Sequence, residues 1–66
     1  MSKHMVVTYG PNNELIYEAS FINVDKAHAE YVDIVNNLTG QLVGRKPITV
    51  VRYRDGYVMA MTQISE

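Results

Sequence analysis

Asp55-Gly56 narrows the choice of fold more than any other feature. The dipeptide stands between two runs rich in β-branched and apolar residues, ITVVRYR at 48–54 and YVMAMTQI at 57–64. It accepts the two positive φ angles of a type I′ turn, which makes the segment a hairpin. A two-residue loop sets Arg54 opposite Tyr57, Arg52 opposite Met59, Val50 opposite Met61 and Ile48 opposite Gln63. The other face then pairs Tyr53 with Val58, Val51 with Ala60 and Thr49 with Thr62. Neither face is polar, so this hairpin needs cover on both sides.

The residues before it supply one cover. MVVTY at 5–9 and ELIYEASF at 14–21 read as strands separated by the turn formers GPNN. In the second run Leu15, Tyr17, Ala19 and Phe21 alternate with polar positions and should look inward. Pairing Met5, Val7 and Tyr9 with that face requires an odd-numbered loop or a bulge near Gly10 to Asn13. From Val24 the period changes: Val24, Ala27, Tyr31, Ile34, Val35 and Leu38 recur at spacings of three and four, drawing an apolar stripe along a helix. Asn23 or Asp25 caps its start, and Gly40 is placed to end it. TGQLVGRKP is then a connector, with Leu42 and Val43 tucked beneath it.

The order is therefore two strands, a helix, two strands. We expect an α+β fold in one small domain spanning 1–66: strands at about 4–9, 14–22, 48–54 and 57–64, a helix at about 24–39, and an antiparallel sheet of about four strands with the helix on one face. The uncharged set Val51, Tyr53, Val58, Ala60 and Ile64 is the better candidate to lie under the helix, because charged side chains are rarely buried unless paired. That leaves Ile48, Val50, Met59 and Met61, extended by Arg52, Arg54 and Tyr57, as an apolar patch facing outward. Such a patch marks an interaction site, and methionine, arginine and tyrosine suit one.

Composition points the same way. A chain of 66 residues without cysteine has neither a disulfide framework nor a thiolate metal site to hold it together. Domains this small have little stability to spare, a shortage that association relieves. Six basic residues against seven acidic ones favour no strongly charged partner. The N-terminal stretch has no secretory pattern, and no run approaches the ~20 apolar residues of a membrane span, so a cytoplasmic protein is expected. Asn37-Leu38-Thr39 matches a glycosylation acceptor that matters only on secretion.

No constellation reaches a catalytic signature. Ser2, Ser20 and Ser65 lack an evident base, and an amino-terminal proline of the tautomerase kind is absent. The glycines at 40 and 44 echo a phosphate loop without its spacing. His28 with Asp25 on one helix, and His4 elsewhere, fall short of a metal site. No enzyme activity, metal or small-molecule cofactor is expected.

The leading reading is a non-enzymatic protein-binding module that occupies a partner's surface, most simply a homodimer, of the kind common among accessory or inhibitor proteins of phages and mobile elements. Its contact residues are Ile48, Val50, Arg52, Arg54, Tyr57, Met59 and Met61. The rival is a nucleic-acid binder using Arg45, Lys46, Arg52, Tyr53, Arg54 and Tyr57 on the hairpin. Near-zero net charge and an apolar hairpin centre weigh against it.

Overall fold

The computed structural model describes residues 3–41 and 47–64. Its elements run in the order β1 (His4–Tyr9), β2 (Leu15–Phe21), α1 (Val24–Gln41), β3 (Ile48–Arg54) and β4 (Tyr57–Ile64). The strands form one antiparallel sheet in the order β2-β1-β3-β4, and α1 packs on it, giving a small compact α+β domain. Connector residues Leu42 and Val43 lie outside the described residues.

Local chemistry explains the element ends. Gly10, Pro11, Asn12 and Asn13 close the first hairpin: the Asn13 N–H donates to the Gly10 carbonyl and the Gly10 N–H to the Glu14 carbonyl. Asn13 takes the left-handed φ of 60° that asparagine tolerates. At Gly10 the Glu14 side chain lies close over the backbone, so a Cβ there would push that exposed side chain aside. Asn23 caps α1: its Oδ1 accepts from the backbone N–H of Asp25 at 2.7 Å and of Lys26 at 3.3 Å. The helix does not stop at Gly40 but continues to Gln41. A glycine inside a helix costs about 1 kcal/mol relative to alanine, too little to end one by itself.

Two bulges decide which side chains reach the core. In the first hairpin His4 pairs with Phe21, Val6 with Ala19 and Thr8 with Tyr17. Tyr17, Ala19 and Phe21 face the helix as their alternation predicts, but their partners are the even residues of β1. Met5, Val7 and Tyr9 therefore face away. Ile16 is the extra residue of a bulge, after which Leu15 pairs with Tyr9 on the outer face rather than the inner one.

The second hairpin begins as its turn requires. Asp55 and Gly56 have φ of 51° and 88°, and Arg54 pairs with Tyr57 and Tyr53 with Val58. Met59 is then left over, and the register moves by one: Arg52 pairs with Ala60, Val51 with Met61, Val50 with Thr62 and Ile48 with Ile64. This bulge puts Ala60, Thr62 and Ile64 on the same face as the even residues of β3.

That face meets the helix. Val6, Ala27, Ile48 and Val50 are at 0% exposure and form the core with Tyr31 and Ile64, flanked by Phe21, Ile34, Val35 and Ala60. The Tyr31 hydroxyl is hydrogen-bonded to Thr62 Oγ1, which ties the middle of α1 to β4. Hence the sides of β3 are the reverse of the sequence expectation: Ile48 and Val50 are core, while Val51 and Tyr53 lie on the open side. The two arginines do not prevent this, because they sit at the turn end of the strand, where Arg54 pairs with His4 and is exposed. A long aliphatic stem lets Arg52 share the helix side while only half-buried.

Candidate interaction surface

The open side of the sheet carries Met5, Val7 and Tyr9 from β1, Thr49, Val51 and Tyr53 from β3, Glu18 and Ser20 from β2, and Val58, Met61 and Gln63 from β4. Glu18 is the sole charged residue among these strand positions. No described element covers this side, yet Val7 and Val51 at its centre are each only 4% exposed.

Two tyrosines flank that pair. Tyr53 sits opposite Met5 and Tyr9 opposite Thr49, with the Val7–Val51 pair between them. Four residues of strand place the two Cα atoms roughly 13 Å apart along the sheet. Their hydroxyls nevertheless meet at 3.3 Å, so the side chains lean toward one another over the two valines. The Tyr9 phenol is held above its ordinary value, first by the hydrogen bond to Tyr53, then by loss of water, and then by the neighbouring charges of Tyr53 and Glu18. Part of the second apolar side is thus covered from within the chain. Beside this bridge a shallow cleft of about 360 Å³ is lined by Met5, Tyr9, Leu15 and Glu18, among others.

Within the β3–β4 hairpin the exposed apolar side chains lie on β4. Tyr57, Val58, Met59 and Met61 are 75%, 58%, 49% and 64% exposed. Of the sequence-predicted contact residues, Arg54, Tyr57, Met59 and Met61 are exposed, Arg52 is half-buried, and Ile48 and Val50 are inaccessible. Val58 belongs to the exposed set and was missed. Its signal would have been the odd residue count that a bulge introduces, which local pattern does not reveal. Leu15, Ile16, Tyr17, Ile22, Val24 and Val32 are exposed apolar residues outside the hairpin.

The residues of the nucleic-acid alternative are not gathered on one surface. Tyr53 takes part in the tyrosine bridge on the open side, Arg52 lies on the helix side, and Arg54 and Tyr57 are exposed at the turn. Arg45 and Lys46 lie outside the described residues.

On the helix side a cleft of about 260 Å³ opens between β2 and α1, lined by Thr8, Ile16, Tyr17, Glu30, Ile34 and Asn37. Thr8 is 2% exposed, and its Oγ1 has no hydrogen-bond partner among the described residues. The same holds for His4 Nδ1 and Arg52 Nε, also on this side. His28 is exposed on α1, and no three His, Cys, Asp or Glu side chains among the described residues are grouped to hold a metal. No described helix is long and apolar enough to cross a membrane. Comparison with family models, with curated proteins and with solved structures gives no match.

Proposed function

We propose that the protein is a non-enzymatic binding module that acts by occupying the surface of another protein chain. One observation carries this reading: β4, an uncharged edge strand, exposes Tyr57, Val58, Met59 and Met61, while the centre of the open side, at Val7 and Val51, is buried beside the Tyr9–Tyr53 pair. Scattered exposed apolar residues are ordinary, but a contiguous row of them marks a contact surface. Methionine contributes flexible, polarizable contact, and Tyr57 beside Arg54 supplies the amphipathic rim common at protein interfaces.

A photoreactive amino acid placed at position 61 tests the reading in cells, with position 32 on the outer side of α1 as the control. The expected result is an adduct with protein from position 61 and none from position 32. Adducts with nucleic acid, or equal labelling from both positions, would contradict it.

A further inference from the structure

We propose that the partner is a second copy of this chain, joined to the first by antiparallel pairing of β4 with β4 across a two-fold axis. The inference rests on the binding reading above and adds its occupant and geometry. β4 is an edge strand: β3 lies on one side, and no described strand lies on the other. Alternate backbone N–H and C=O groups of an edge are unpaired and template a further strand.

Natural edges are usually blunted with charge, yet Tyr57–Ile64 carries no charged residue along its 8 positions. Antiparallel self-pairing of such a strand sets no like charges opposite one another. The bulge at Met59 leaves Ala60–Ile64 regular, a stretch of typical strand length. In this arrangement facing residues lie on the same side of the joined sheet. Both helices then fall on one side, and the open sides become continuous, with Val58 and Met61 of each copy near the seam.

The size of the contact sets its strength. Eight residues make an edge roughly 26 Å long, and the molecule is 15 Å across its shortest dimension. At most about 400 Å² per copy is covered, around half the value of a standard stable interface. The dimer is therefore reversible and populated at high concentration.

Amide hydrogen exchange of the purified full chain, followed by NMR at about 20 µM and at about 1 mM, tests the pairing residue by residue. The expected result is at least a twofold slowing, at the higher concentration, of alternate β4 amides turned away from β3, with β2 amides unchanged. Unchanged β4 exchange overturns the pairing, whether the protein dimerises by another surface or stays monomeric. A protein adduct from position 61 would in that case still support the binding module, so the two claims fail separately. In Gln63→Lys, an exposed substitution that leaves the core intact, the concentration-dependent slowing should be lost. Its persistence would also overturn the pairing.

Discussion

The two edges of the sheet are built alike and finished differently. β2 and β4 are 7 and 8 residues long, each carries one extra residue in a bulge, and each exposes several large apolar side chains. β2, however, holds Glu18 in its regular stretch and follows Glu14, whereas β4 holds no charge from Tyr57 to Ile64. A buried charge at a strand pair is costly unless compensated, so Glu18 makes β2 a poor template for another strand. Nothing equivalent protects β4. In the pairing proposed above, this uncharged edge is the one that meets the second copy.

The largest effect should separate the core from that edge. Val50→Asp places an uncompensated charge in the helix–sheet core and should unfold the protein outright, a loss of several kcal/mol by the usual cost of buried unpaired charge. Circular dichroism would show it. Met61→Asp, one strand away, should keep its fold and lose self-association. If Met61→Asp unfolds the protein while Val50→Asp does not, the two sides of the hairpin have been exchanged.

A second change acts on the opposite edge. Glu18→Val removes the charge from β2 and should give the molecule two adhesive edges, so that light scattering reports species larger than a dimer. No change in mass would show that Glu18 is not what distinguishes the edges.

Smaller effects come from the layers on either side of the sheet. Thr8→Val removes a buried hydroxyl that has no partner among the described residues and should stabilise the fold by about 1 kcal/mol in denaturant unfolding. Tyr53→Phe removes the partner of Tyr9 and should cost about 0.5 kcal/mol. In a spectrophotometric titration the raised Tyr9 phenol should then move down toward the ordinary value near 10. The sign follows from the raised phenol: its contribution to stability is complete below the unfolded value and disappears as pH rises through the higher folded one. A titration unchanged by Tyr53→Phe would dissolve the bridge over Val7 and Val51.

The element order, the Asn23 cap and the Asp55-Gly56 turn were legible because each rests on chemistry within a few residues. The sides of β3 were not. Reading outward from the turn gives the correct partners for Arg54 and Tyr53, and then one residue, Met59, drops out of the ladder, so that Ala60 and Ile64 face inward as expected while Val58 is turned to the open side. The preference for an uncharged inner side also misled, since Arg54 is exposed at the turn end and Arg52 is only half-buried beside it, while Ile48 and Val50 lie beneath α1. The tyrosine bridge was equally hidden, because Tyr9 and Tyr53 are 44 positions apart and meet only once β1 and β3 are paired. For the candidate site, Tyr57, Met59 and Met61 were read correctly as exposed, and Val58 needed the bulge.

The most direct test is the solution mass of the wild-type protein and of Met61→Asp, measured by sedimentation from micromolar to millimolar concentration. The wild type should rise from the monomer mass toward twice that value, while the variant, equally folded, stays monomeric. A wild type that remains monomeric at millimolar concentration, or a variant that associates as readily, would contradict β4 as the contact surface for a second copy.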